Sequence, residues 1–303
     1  MRTRKNLDRR CAYVVVLDGP YAGNLRELAS YFSDLGVAKC DVIVVDDSPN
    51  FDRNRRVLCW VSRHVAPQRR HRNAAGRVAL LRAAMDLSPC DKIIVADANV
   101  RYSPQALDDL CAMLDVHEAV EPQDYFEPMP WWSGIDAGRM LVGRGIEPVA
   151  GQGATFGFRK SAARALDLTP GSSVFVRRLP PRVSEWLRER PRLAGADFSF
   201  PFKTAFFFAL IPLALLLATF GGPRLAGGYA GMIAFAAFAL AVRGRAGAGA
   251  FFPLRACLFA PLWVLERSVS VYWALLRKLG GAELTVRREA PETLEPTAHI
   301  EAR

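Results

Sequence analysis

The sequence predicts an α/β fold, a doubly wound mixed sheet, followed by a C-terminal α-helical membrane hairpin and an interfacial helix. Three observations predict it. Two short apolar runs each break abruptly into carboxylates: Asp41-Val-Ile-Val-Val-Asp-Asp47 and Lys92-Ile-Ile-Val-Ala-Asp-Ala-Asn-Val-Arg-Tyr102. Such runs read as strands buried on both faces. The opening residues alternate strand, helix and strand, the start of a doubly wound sheet. Near residue 202 the composition changes, and the chain becomes rich in Phe, Leu and Ala and almost free of acids until Glu266.

Taken in order, Met1–Arg10 is a basic arm. Tyr13-Val-Val-Val-Leu17 is a buried-type strand, and Asp18-Gly-Pro is a turn signal. Leu25, Leu28, Ala29, Phe32 and Leu35 recur at helical spacing and Gly36 closes that helix. Asp41–Val45 is the second strand, and Arg56–Val61 reads as a third. A basic loop, Gln68–Gly76, leads into a helix carrying Val78, Leu81, Ala84 and Met85. After the strand ending at Asp97, Ser103-Pro104 starts a helix, with the hydroxyl at the cap and proline in the first turn. Ala119–Phe126 reads as strand and loop, Trp131 and Trp132 precede a helix through Arg144, and Thr155–Arg159 is a short strand with a helix opening at Ser161. Val174–Pro181 is extended, and an arginine-rich amphipathic stretch runs from Trp186 to Phe198.

Thr204–Phe220 and Leu225–Val242 are apolar throughout. At 1.5 Å per residue each spans roughly 25–27 Å, near the lower limit for crossing a bilayer. Gly221-Gly-Pro-Arg224 between them reads as a tight turn, and Lys203, Arg243 and Arg245 outnumber the single Arg at the tip. That bias puts both ends on the cytoplasmic side of the cell's inner membrane. Phe251–Leu279 is interrupted by Arg255, Glu266 and Arg267 and rich in aromatic residues, which suits an interfacial helix or a third membrane helix. The expected divisions are therefore 1–11, 12–202, 203–242, 243–280 and a polar tail, 281–303, expected to be disordered.

The formal charge is +10. Its basic residues gather at the amino terminus, in one loop and beside the apolar segments, which fits an anionic membrane surface and phosphate ligands. No motif of nucleic-acid binding with interleaved aromatics occurs. The six cysteines are scattered without Cys-x-x-Cys spacing, as in a reducing compartment.

In open α/β sheets ligands sit beyond the carboxyl ends of the strands, which puts Asp46, Asp47, Asp97 and Asn99 where chemistry is expected. Carboxylates from two strands at one edge suit a divalent cation with a phosphorylated ligand, whereas a single one would more simply cap a turn. The loop arginines Arg69, Arg70 and Arg72 precede a helix amino terminus, a ready anion site; a solvated charge run is the alternative reading.

The pieces in sequence resemble a membrane-anchored, bacterial-type glycosyltransferase of family 2 with a GT-A fold. The resemblance rests on Val44-Val-Asp-Asp-Ser48, Asp97-Ala-Asn99, Gln123-Asp-Tyr-Phe126, Thr155-Phe-Gly-Phe-Arg159 and the C-terminal hairpin with Glu266-Arg-Ser-Val-Ser-Val-Tyr-Trp273. It implies transfer of a sugar from a nucleotide-sugar donor to a lipid-linked or polysaccharide acceptor at the membrane. Asp18, Asp46 and Asp47 would bind base and ribose, and Arg70, Arg72 and Asp97 the rest of the donor. Asp97 and Asn99 would occupy the slot of the metal motif, implying Mg²⁺ or Mn²⁺, and Trp131 and Trp132 could stack on an acceptor sugar. Two departures stand out. Asn99 replaces an acid, and the region Ala165–Val176, where the family places its base, is short, leaving Asp167 or Asp136 as candidate bases. These departures keep open a catalytically degenerate membrane partner. A nucleotidyltransferase is a further alternative, weakened by the lack of a Gly-rich phosphate loop near residue 18.

Overall fold

The structure, a computed structural model, describes residues 10–17, 21, 23–66, 85–147, 154–162 and 169–280. These fall into two compact units. One holds the described residues up to Asp124 and those between Gly151 and Leu179; the other holds the described residues between Tyr125 and Ala150 and from Pro180 to Gly280.

The first unit is built on a mixed sheet. Its described strands are β1 (Cys11–Leu17), β2 (Cys40–Asp46), β3 (Arg63–Val65), β4 (Lys92–Asp97), β5 (Val100–Arg101), β6 (Ala119–Phe126), β7 (Thr155–Arg159) and β8 (Thr169–Arg178). They lie in the order β3-β2-β1-β4-β7-β6-β8-β5. β3, β2, β1 and β4 are mutually parallel, and β7 turns the sheet antiparallel against β4. This is the expected α/β class with a mixed sheet.

Burial on both faces explains the unbroken apolar runs. Along β1 the odd residues Cys11, Tyr13, Val15 and Leu17 pack with Leu28, Phe32 and Leu35 of α1 (Leu25–Val37) and with Leu107, Leu110 and Leu114 of α3 (Pro104–Val116). The even residues Ala12, Val14 and Val16 pack with Ile43, Ile93, Val95 and Phe158 in a second core. Both helices start as their sequences dictate. The Asn24 side chain accepts from the amides of Arg26 and Glu27, and Ser103 Oγ accepts from the Ala106 amide at 3.1 Å. Each such cap contributes about 1 kcal/mol.

The third strand is not where the apolar run predicted it. Phe51–Leu58 is a helix, α2, and the strand is the short β3 that follows. Helical spacing decides it: Asn54 and Leu58 turn inward with Phe51 beside them, while Trp60 stays 87% exposed. The helix expected over Val78–Met85 lies largely outside the described residues.

The second unit is helical: α4 (Trp131–Ile146), α5 (Val183–Ala196), α6 (Pro201–Gly244) and α7 (Phe259–Leu279), with a 3₁₀ turn at Leu254–Leu258. Glycines let its backbones approach closely. A Cβ on Gly138 would stand 2.7 Å from the Ala260 nitrogen, one on Gly145 would strike the Leu240 carbonyl, and one on Gly244 the Leu141 carbonyl. Arg144 Nε donates to Gly244 O at 2.8 Å across the same contact. α6 and α7 meet through Phe207 on Trp263 and through the Tyr272 hydroxyl, which donates to Phe208 O at 2.6 Å.

The two predicted apolar segments are two helices in the structure, taken together as α6 because they meet at a kink. α6 runs through both, and Gly222, at φ 79° and ψ 171°, breaks its helical geometry where the tight turn was expected. It is the one described helix long and apolar enough to cross a membrane. Most of its apolar side chains are open, with Phe202 91%, Phe220 87% and Phe235 72% exposed.

Candidate functional site

The register of the parallel strands sets the site. Leu17 at the end of β1 pairs with Asp46 of β2, and Val16 pairs with Asp97 of β4. Both carboxylate-bearing positions therefore reach the same edge of the sheet, on either side of β1. At the usual strand spacing their backbones are roughly 10 Å apart. This edge lies at the carboxyl ends of parallel strands, where α/β sheets bind ligands.

Asp46 and Asp47 differ in kind. Asp46 is 1% exposed and saturated: it accepts from Ser48 N at 2.8 Å, Asn54 Nδ2 at 2.9 Å and His64 Nε2 at 2.9 Å. The geometry makes His64 the Nε2–H tautomer, and its Nδ1 is enclosed without a hydrogen bond. Burial pushes the His64 pKa below the usual value, and the Asp46 carboxylate only partly offsets this. Asp46 thus ties the turn after β2 to α2 and β3. Asp47, by contrast, is exposed, and among the described residues its one hydrogen bond is from its backbone amide to Leu17 O, at 2.9 Å.

The turn after β4 is held by Arg101. Its guanidinium donates from Nη1 to Ala98 O at 2.7 Å and Val100 O at 2.8 Å, and its Nε and Nη2 grip Glu27 at 2.9 and 2.6 Å. Hydrogen bonding from Arg101 lowers the Glu27 carboxyl pKa against the cost of its partial burial. The Asp97 amide donates to Ala154 O at 2.9 Å. The turn is therefore fixed before any ligand arrives.

Beside it stands a second arginine. β8 pairs with β5 so that Arg178 lies opposite Val100. Arg178 Nη1 donates to Asp124 Oδ2 at 3.0 Å, and Nη2 lies 3.9 Å from Asp97 Oδ2. Asp124 is buried, whereas the Asp97 side chain is 34% exposed. Asn99 is pinned to the end of β8: its carbonyl accepts from Leu179 N at 2.8 Å and its Nδ2 reaches Leu179 O at 3.5 Å. Its Oδ1 is enclosed by protein.

These donors do not fit a divalent cation. Among the described residues no three His, Cys, Asp or Glu side chains converge as a metal cluster. Asp97 is the one open carboxylate of its turn and already faces a guanidinium, while the oxygen of Asn99 is shut off from solvent. A hard dication wants several oxygen ligands, and this turn offers it one open carboxylate.

Three further sequence candidates lie in the helical unit. Trp131 is 59% exposed and meets Trp132 and Trp186 edge-on; Trp132 Nε1 donates to Pro181 O at 3.0 Å. Asp136 is 5% exposed and accepts from Arg190 Nη1 at 2.8 Å, Arg190 Nη2 at 3.0 Å and Trp186 Nε1 at 2.9 Å. Burial pushes its carboxyl pKa up, but Arg190 and Arg139 outweigh that and hold it below the usual range. A carboxylate so engaged is a structural anion, poorly placed to take a proton from a substrate. Asp18, Arg69, Arg70, Arg72 and Asp167 lie outside the described residues.

The residues that organise this edge most tightly were not among the sequence candidates. His64 and Asn54 carried only the weak signal of polar residues near a predicted strand, and Arg101 followed the Asp97 motif at the next turn. Arg178 sits in the Arg-Arg pair before Leu179-Pro-Pro181, and only the pairing of β8 with β5 brings it to Asp97.

No protein-family model matches the chain, and no curated protein matches it in sequence. Among solved structures it is similar to a mycobacterial protein, at 13% identity and TM-score 0.42 over 62% of this chain and 74% of that one. It is similar to a mannosyltransferase from Pyrobaculum calidifontis in complex with GDP-Man and Mn²⁺, at 14% identity and TM-score 0.46 over 88% of each chain. It is also similar to glucosyl-3-phosphoglycerate synthase from Mycobacterium tuberculosis with Mn²⁺, UDP-glucose and phosphoglyceric acid, at 16% identity and TM-score 0.38 over 55% of this chain and 62% of that one. At these TM-scores the likenesses carry no residue role to this chain.

Proposed function

We propose that the protein is a membrane-associated glycosyltransferase that moves a sugar from a nucleotide-diphosphate donor to a lipid-linked or polysaccharide acceptor. The observation that carries this reading is the edge built by the register of β2, β1 and β4. It presents exposed Asp47 on one side of β1, and on the other Asp97, beside Arg178, on a turn clamped by Arg101. A carboxylate suited to ribose hydroxyls and a cation suited to phosphate are the two demands of a sugar nucleotide. Arg70 and Arg72, in the basic loop, would add to the phosphate side, and Asp18 to the base side. The open apolar surface of α6 supports membrane association, and Lys203, Arg243 and Arg245 beside the outer ends of its two helices support a cytoplasmic side for both ends.

The reaction on this reading is displacement at the anomeric carbon. The bond from that carbon to the diphosphate breaks, its electron pair stays on the phosphate oxygen, and the acceptor oxygen forms the new bond while losing its proton. Positioning and electrostatic stabilisation of the leaving diphosphate are what the described residues can supply. Asp167 is the remaining candidate for the base, since Asp136 is committed to Arg190.

The test is calorimetric titration of UDP- and GDP-sugars into detergent-purified protein, beside Asp97→Ala. The expected result is saturable binding of one donor, weakened in the variant. A folded protein that binds no sugar nucleotide overturns the proposal. The placement of Asn99 and the engagement of Asp136 favour one second reading, a partner protein that binds a donor or nothing and transfers no sugar. Donor binding without turnover on any lipid-phosphate acceptor would point there.

A further inference from the structure

We infer that Arg178, and not a divalent cation, neutralises the donor diphosphate. This rests on the sugar-nucleotide reading above and concerns how the same edge handles charge.

Three strands converge on the point. Asp97 ends β4, Asp124 lies on β6 and Arg178 on β8, and the guanidinium bridges the two carboxylates at 3.9 and 3.0 Å. Asp124 is 2% exposed at its side chain and Arg178 only 20% exposed, so the arginine is anchored from within and faces the edge from a fixed base. Asn99, which would have to be a second acid to hold a dication, adds no charge. Its backbone carbonyl and side-chain amide are instead tied to Leu179, the residue after Arg178. The contacts that would make a metal site are thus spent on seating an arginine.

The chemistry of the guanidinium suits the task. It stays protonated at every physiological pH and offers a planar fork of donors matched to phosphate oxygens. When the bond between the anomeric carbon and the diphosphate breaks, the electron pair collects on a phosphate oxygen. A cation already fixed beside that oxygen stabilises it without reorganisation. The acceptor hydroxyl supplies the new bond, and its proton passes to solvent or to the enzyme's base. Asp97 and Asp124 are positioning residues in this scheme, since they touch Arg178.

Calorimetry with UDP, GDP, ADP, CDP and dTDP separates the outcomes, using detergent-purified full-length protein in EDTA and, separately, in MnCl₂. The inference expects the bound nucleotide to show the same affinity, within about twofold, in both conditions. Replacing Arg178 alone leaves buried Asp124 uncompensated, so the informative variant is the double substitution Arg178→Gln with Asp124→Asn, with folding checked by circular dichroism. It is expected to bind about 30-fold or more weakly, about 2 kcal/mol. Arg178→Lys, which keeps the charge and loses the fork, is expected to fall between. Binding lost in EDTA and restored by Mn²⁺ overturns the role of Arg178 while leaving the donor reading intact, as does a folded double variant with unchanged affinity. A folded wild-type protein that binds none of the five nucleotides in either condition overturns the donor reading and this inference together.

Discussion

Arg190→Met tests how the helical unit is held together. Asp136 is buried on α4 and receives both terminal nitrogens of Arg190 from α5, at 2.8 and 3.0 Å, plus the Trp186 indole at 2.9 Å. Methionine keeps the apolar stem of the arginine and loses the guanidinium, whose carbon lies 4.4 Å from the centre of the Trp186 ring. What it removes is the charge. Breaking a buried pair by taking one partner costs about 3–5 kcal/mol, because the other charge is left without compensation. Arg139, 3.6 Å from Asp136, supplies part of the lost field and places the expectation at the lower end, about 3 kcal/mol. For a chain of this size that corresponds to a fall in melting temperature of roughly 6–12 °C. The double variant Asp136→Leu with Arg190→Met is expected to regain most of the loss. It stays about 1 kcal/mol below wild type, because the Trp186 indole loses its acceptor. The assay is thermal unfolding of the detergent-purified protein by circular dichroism. A single variant that melts with the wild type, or a double variant no better than the single, refutes the reasoning. The pH dependence has a fixed sign. The Asp136 carboxyl lies below its unfolded value. Its stabilisation is therefore complete above about pH 4 and is lost as pH falls toward the folded pKa. The gap between wild type and Arg190→Met should narrow on acidification below that point.

Two other outcomes follow from the packing and the first turn. Gly145→Ala places a methyl group against the Leu240 carbonyl of α6, and the backbones must separate. A loss of about 1–3 kcal/mol in the same melting assay is expected, against no loss for Gly143→Ala, where the space is open. His64 has its folded pKa depressed, so its neutral form is stabilising above the unfolded value near 6.5, and stability falls as pH drops from there through the folded pKa. Replacement by Gln, which keeps a donor toward Asp46, should flatten that part of the stability profile measured between about pH 5 and 7.

The sheet was legible because its strands are buried on both faces and therefore apolar without interruption. β1, β2 and β4 are where the runs Tyr13–Leu17, Asp41–Val45 and Lys92–Asp97 put them. The same signal misled at Arg56–Val61, where Val57, Leu58, Cys59, Trp60 and Val61 form a continuous run but only Leu58 is buried. There the helical spacing of Asn54 and Leu58 prevails. At the site, the sequence brings Asp46 and Asp97 to one edge but cannot say which way a carboxylate turns. The pair Asp46-Asp47 reads as two equal ligands until Asn54 and His64 are seen to enclose the first. The Arg178 contact depends on strands far apart in sequence, and no local pattern carries it. The division of the chain also resists a linear reading, since α4 is framed by β6 and β7 yet belongs to the helical unit.

That membership has a consequence for how the chain is made. α4 carries Gly134, Gly138 and Gly145 on a buried face whose partners are Phe259, Ala260 and Leu240. The hydrogen bond from Arg144 to Gly244 spans 100 residues. At roughly 5–20 residues per second, a ribosome needs about 5–20 s to deliver that partner after α4 has emerged. For about the first half of that interval Asp136 also waits for Arg190, and through all of it the nascent chain holds a grooved helix with nothing to fill it. A transcript cut short after the sheet would yield a protein with this groove permanently open. The C-terminal helices therefore complete a unit begun near residue 125, and removing them should leave α4 without its seat.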